Sequence, residues 1–148
     1  MLAAIRPDSW NVPLLVHVLG AMVLVGGLLV TTTSVLVARG DVRLLRVGYL
    51  ALLAVCLPGY LVMRVGAEWI YAKEHLGDMP SDPTWVGIGY GTADAGALLL
   101  LLALILGGIG VRRLRDGRTG LVRASLFISV LLLAAYVVTI WAMGAKPD

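Results

Sequence analysis

Apolar residues run in four long blocks along the chain, at about 12–38, 44–65, 85–111 and 121–143, and the charged residues collect between them. Roughly 20 apolar residues carry a helix across a hydrocarbon core, so each block predicts a membrane-spanning helix. Inside the blocks, small and weakly polar residues recur at spacings of three and four, which puts them on one helix face. The first block gives His17, Gly20, Leu24, Gly27, Thr31 and Ser34, and the second gives Tyr49, Cys56, Tyr60, Met63 and Ala67. The third gives Gly87, Gly91, Asp94, Ala97, Leu101, Ile105 and Gly108, and the fourth gives Ser125, Ser129, Leu132, Tyr136, Thr139 and Met143. Helices in lipid associate through close packing of small residues and some polar contacts. The expected fold is all-α: one domain over residues 1–148, a membrane-spanning antiparallel four-helix bundle with short loops. The segment from Gly87 to Ala97 is richest in small residues, so Gly87, Gly91 and Ala95 mark the expected tightest crossing and a contact face for another subunit or a second copy.

Proline and capping residues set the expected ends. Pro13 starts the first helix, and Ser81-Asp82-Pro83 starts the third with a side-chain cap and proline in the first turn. Pro58 lies inside the second block, where it removes a ladder bond and should bend the helix. Arg64 and Glu68, four apart, would support a continuation of that helix toward Glu74.

Composition narrows the class. Of 148 residues, 59% are apolar and 14% charged, against about half and about a quarter in a soluble domain. A soluble globular domain and a disordered chain are both excluded. A single cysteine excludes a disulfide-stapled module and a zinc site built on cysteines. The net charge of +3 does not point to nucleic acid, because the arginines sit at the ends of apolar runs. Arg39, Arg43 and Arg46 flank the first loop; Arg112, Arg113, Arg115, Arg118 and Arg123 flank the third. The middle connection carries Glu68, Glu74, Asp78 and Asp82 against Arg64 and Lys73. Arginine-rich short loops stay cytoplasmic, so loops 39–43 and 112–120 are expected inside. Both termini and the 66–84 connection are expected outside. Trp10, Trp69, Trp85 and Trp141 fall near the outer ends, where indole rings prefer the headgroup level. The first span lacks the basic start and cleavage site of a signal peptide and is expected to be retained.

Depth can be counted from the arginine anchors at about 1.5 Å per residue. The count brings His17, Arg64, Glu68, Asp94, Trp141 and Met143 from four different spans into one outer layer, with Tyr60 and Tyr90 beside it. Ionisable groups at this depth are costly and usually paired, so the layer reads as a candidate site. It reads equally as structural: Arg64 and Glu68 can snorkel and pair with each other, and Asp94 can accept from Tyr60 or His17 or pair with Arg64. His17 divides evenly between a satisfied structural histidine and a ligand or proton carrier. His75 belongs to the exposed acidic connection. Cys56 is expected inert in apolar surroundings, and Met22, Met63 and Met143 read first as packing residues.

The stretch from Leu14 to Gly27, LLVHVLGAMVLVGG, resembles the first span of the CopD/HemJ-like small bacterial integral membrane proteins, which share an early histidine followed by small residues and a Gly-Gly pair. The resemblance covers one helix and agrees in span number with the HemJ type. It implies a bacterial plasma membrane and haem or copper chemistry toward the outer half of the bilayer, with His17 as the residue carried over. The HemJ type also uses a lysine in a later span; none of the four blocks holds one, and Asp94 is the nearest ionisable residue in the third. Oxidase activity is therefore not expected to carry over, and the uncharacterised members are the nearest in character.

Three functional readings follow. A haem-binding or redox protein would use His17 as axial ligand, or metal ligand, with His75, Met63 or Met143 as the second ligand and Arg64 on a propionate. An accessory or complex-forming subunit would use the Gly87–Gly91–Ala95 face, and its polar layer would only fix helix register. A transporter-like protein would relay protons or a metal through His17, Asp94 and Arg64. No nucleophile–base set, paired carboxylates or HExxH motif stands in the chain. The accessory subunit, with haem binding as its specific chemical content, ranks first.

Overall fold

A computed structural model of the chain describes residues 11–75 and 84–145. These form helices α1 (Asn11–Val37), α2 (Val42–Ala51), α3 (Leu57–Lys73), α4 (Thr84–Arg113) and α5 (Gly120–Ala145). A π-helical turn, Leu52–Cys56, joins α2 to α3, and a 3-10 turn, Leu114–Asp116, follows α4. The second span is thus one continuous path from Val42 to Lys73, and four helices are long and apolar enough to cross a membrane. The expected ends are met within a few residues, and the second helix continues to Lys73 in line with the expected extension toward Glu74, which shortens the connection over 66–84. The Ser81-Asp82-Pro83 start, Trp10, Asp78 and Asp82 lie outside the described residues.

Local chemistry accounts for the breaks. Asp41 caps α2 by accepting from the Arg43 amide at 2.8 Å, in the sharp turn where Arg39 (φ 36°) and Gly40 (φ 105°) take left-handed backbone. Gly117 (φ 73°) ends the 3-10 turn in the same way. Pro58 lies one residue past the π turn, where the Leu57 amide donates to Leu52 five residues back. Widening the helix by one residue just before the proline moves the preceding carbonyls off its ring. The break expected at Pro58 is thus accompanied by a register shift in the helix just before it.

The bundle is two helix hairpins set side by side. The second span packs on α1, α5 packs on α4, and α1 meets α5 across the middle; the second and third spans touch only sparingly. One cluster of buried residues fills the middle, including Leu24, Leu28, Leu52, Cys56, Leu100, Leu132 and Tyr136. A second fills the arginine-rich end with Ala38, Leu45, Leu114, Val122 and Leu126.

Small residues set both hairpins. Along α1 and the second span, a glycine lets the neighbour come close at each step: Gly66, Gly20 and Gly59 meet the backbones of His17, Met63 and Leu24, and Gly27 meets the Cys56 sulfur. A Cβ on Gly59 would stand 2.8 Å from the Leu24 nitrogen, and one on Gly27 would stand 2.7 Å from the Cys56 sulfur. Gly20 and Gly27 are seven residues apart, as are Gly59 and Gly66. A seven-residue repeat is that of antiparallel helices wound with a left-handed crossing. The second hairpin repeats the device: Gly89, Gly96 and Gly110 of α4 receive Met143, Tyr136 and Val122 of α5. Ala103, fully buried between them, accepts a hydrogen bond on its carbonyl from the Ser125 hydroxyl at 2.6 Å.

The α1 and α5 faces agree with the expected stripes: Gly20, Leu24, Gly27, Thr31 and Ser34 are buried, as are Ser125, Ser129, Leu132 and Tyr136. The α4 face differs. Its buried residues are Val86, Ala93, Gly96, Leu100, Ala103, Gly107 and Gly110, while Leu101 and Ile105 are exposed. The true face is turned from the expected one, because Gly89, Ala93 and Gly96 compete with Gly87, Gly91 and Ala95 as a small-residue row. Asp94 does not mark the inside; it is reached from a neighbouring helix by a longer side chain.

Candidate functional site

The polar residues at the end of the bundle opposite the arginine loops form two arrangements. The first is centred on Arg64, one residue beyond Met63 on the α3 face that meets α1, so its side chain leans toward α4. Its guanidinium lies 3.1 Å from Glu68, one turn along α3, and 3.1 Å from Asp94 of α4. Its carbon atom Cζ stands 4.7 Å from the centre of the Tyr90 ring, a cation–π distance. Tyr71 meets Tyr90 edge-to-face at 5.6 Å. One turn deeper, the Tyr60 hydroxyl donates to the Ala93 carbonyl at 3.2 Å. Arg64, Glu68, Tyr60, Tyr90 and Asp94 are thus brought together, and Tyr71 is a member that the sequence reading missed. Its signal was present: Tyr71 sits seven residues past Arg64, on the same helical face, once the helix is known to reach Lys73.

The cluster stands on the surface of the bundle. The Arg64 side chain is 27% exposed, that of Glu68 53% and that of Asp94 66%. Both ends of the guanidinium fork hold a carboxylate, which is the paired state that charges near a membrane interface require. Together with a second tyrosine bond, from the Tyr49 hydroxyl to the Leu104 carbonyl at 3.4 Å, these contacts hold the loosely packed second and third spans to each other.

The second arrangement is His17. Its Nδ1 lies 2.9 Å from the Met63 carbonyl oxygen. A carbonyl can only accept, so in the neutral ring the proton sits on Nδ1 and Nε2 carries the lone pair. Histidines that bind metals are commonly oriented by such a bond on the other ring nitrogen. The Gly66 crossing brings the α1 backbone close enough for the bond to form. His17 and Met63 are therefore neighbours through the Met63 main chain.

The other expected ligands lie elsewhere. Met143 packs its methyl group onto Gly89, in the α4–α5 layer. His75 follows the end of α3 with a left-handed backbone (φ 51°) and is exposed. Arg64 already holds two carboxylates. One turn along α1 from His17, a shallow apolar groove of about 160 Å³ lies among Leu19, Gly20, Val23, Pro58, Gly59 and Val62, below the roughly 300 Å³ from which small-molecule sites begin. Of the expected ligand set, the structure ties His17 to Met63 through the Met63 main chain and seats Met143 on Gly89. Among the described residues, no three His, Cys, Asp or Glu side chains lie together as metal ligands would. Cys56 is buried at the α1 crossing, its thiol 3.9 Å from the Leu24 carbonyl.

One face of α4 is left open. A Cβ on Gly87 or Gly91 would meet nothing within 4 Å; Ala95 is exposed beside them, and Leu98 further along is 71% exposed. The chain matches no family model, no curated protein and no solved structure.

Proposed function

We propose that this protein is an accessory, complex-forming subunit of a bacterial plasma membrane, with loops 39–43 and 112–120 in the cytoplasm and both termini outside. The observation that carries the reading is the pair of small-residue rows on α4. One row, Gly89, Gly96, Ala103 and Gly110, faces α5. The other, Gly87, Gly91 and Ala95, is flat, exposed and continuous with exposed leucine. In lipid a flat glycine row gains little from acyl chains, which cannot pack against it as closely as a second helix can. The row accordingly takes a helix of another subunit or of a second copy. The arginine-rich loops support the orientation, and the tryptophans at the opposite end agree with it.

The size of the particle in mild detergent tests the reading. The wild-type chain should run as a complex, and Gly91→Leu should run as a single chain with unchanged helix content. A single chain in both cases overturns the proposal.

A second reading keeps His17 as a ligand to haem or a metal, in line with the resemblance of the first span to the CopD/HemJ-like proteins. It is favoured by the Nδ1 bond to the Met63 carbonyl, which leaves the lone pair of the neutral ring on Nε2. The second ligand would then be His75, Met63 or Met143 of the chain, or a side chain of a partner subunit. An absorption spectrum of the complex, purified after growth with haem supply, should show a Soret band that His17→Ala removes. A complex without the band overturns this second reading and leaves the first intact.

A further inference from the structure

The end of the bundle opposite the ion cluster contains a cavity of about 460 Å³ lined by Arg46, Val111, Arg112 and Arg115. Arg46 comes from α2, Arg112 from the last turn of α4, and Arg115 from the 3-10 turn. Three arginines from separate elements thus line one space, with no carboxylate in its lining. Asp41 is turned to the Arg43 amide as the α2 cap. None of the three arginines has an ion pair or a side-chain hydrogen bond among the described residues. Like charges gathered at a membrane surface repel unless an anion sits between them. The guanidinium fork matches phosphate in particular.

The surroundings say what carries the phosphate. About one turn further along both helices, Tyr49 packs against Gly107 and Gly108 and is bonded to the Leu104 carbonyl. On the outer surface the same helix faces continue as apolar residues. Leu50 and Leu53 lie one and two turns from Arg46, Ile105 and Leu101 two and three turns from Arg112, and all four are exposed. A ligand with a phosphate at the arginines and hydrocarbon along these residues meets both chemistries. The geometry points to a binding site for the phosphate of an anionic phospholipid, held by Arg46, Arg112 and Arg115 in the furrow between the second and third spans. Basic pockets between helices serve lipid headgroups in this way. The site does not depend on the subunit role proposed above.

Native mass spectrometry of the purified full chain with added phosphatidylglycerol or phosphatidylcholine tests the site. Phosphatidylglycerol should be retained at least about tenfold better, with one molecule per chain held most tightly. The double variant Arg46→Gln/Arg112→Gln should lose that preference. Arg39→Gln/Arg43→Gln removes the same charge outside the cavity and should keep it within about twofold. Should the first double variant fail to fold, Arg115→Gln on the exposed turn should weaken retention by about threefold. Equal loss in both double variants would show a diffuse charge effect and overturn the site, as would equal retention of the two lipids. Inorganic phosphate binds the same arginines if the source is a free anion; its complete displacement of phosphatidylglycerol at low millimolar concentration would overturn the lipid assignment.

Discussion

A Cβ placed on Gly66 of α3 would stand 2.5 Å from the backbone nitrogen of His17 in α1. No side chain fits between them, and the same contact brings the His17 ring to the Met63 carbonyl. The position of the histidine and the closeness of the crossing are one feature. Gly66→Ala should therefore destabilise the bundle by about 1–3 kcal/mol, the usual cost of forcing volume into a packed contact. Gly91→Ala, where the new carbon meets nothing, should be neutral or stabilising by less than about 1 kcal/mol within a single chain, because alanine favours helix. Unfolding in mixed detergent measures both, with single chains compared.

The tyrosines separate hydroxyls that hold spans together from hydroxyls that do not. Tyr49 and Tyr60 donate across to α4 carbonyls, while the buried Tyr136 hydroxyl has no partner among the described residues. Tyr49→Phe and Tyr60→Phe should each cost about 1 kcal/mol. Tyr136→Phe should cost nothing or add stability, since it removes a desolvated group and keeps the ring against Gly96. Melting temperatures of the three variants decide it.

The ion cluster should be worth little at each carboxylate and more at its centre. Asp94 is 66% exposed, so Asp94→Asn should cost less than about 1 kcal/mol and the cost should shrink further in high salt. Arg64→Gln removes both ion pairs and the contact with Tyr90, and should cost about 1–2 kcal/mol. Unfolding of both variants at low and high salt checks the order; a larger loss for Asp94→Asn would contradict it.

Span number and the inward faces of α1 and α5 were legible because each carries one row of small or hydroxyl residues among bulky ones. His17 to Ser34 steps by three and four without a rival. α4 has several glycine rows, and every side of it is apolar, so hydropathy offers no choice between inside and lipid. Asp94 was read as inward because buried charge is usually paired inward, yet at the helix end Arg64 reaches it in place. Gly59 follows the helix-breaking Pro58 and Gly66 opens the expected 66–84 connection; their packing role appears only once His17 and Leu24 are seen against them. The exposure of Gly87, Gly91 and Ala95 follows from α4 burying its other small-residue row, whereas the Arg46–Arg112–Arg115 cavity was visible only as loop charge, since its arginines come from two separate connections.

Cysteine cross-linking across α4 tests the central claim most directly. In a Cys56→Ser background, Gly91→Cys and Ala95→Cys place a thiol on the open face, and Ala93→Cys and Gly96→Cys place one inside the bundle. In native membranes, a thiol-reactive cross-linker should convert the first two into products larger than one chain and leave the last two unchanged. Cross-linking absent from Gly91→Cys and Ala95→Cys, or equal on the two faces, would contradict the account.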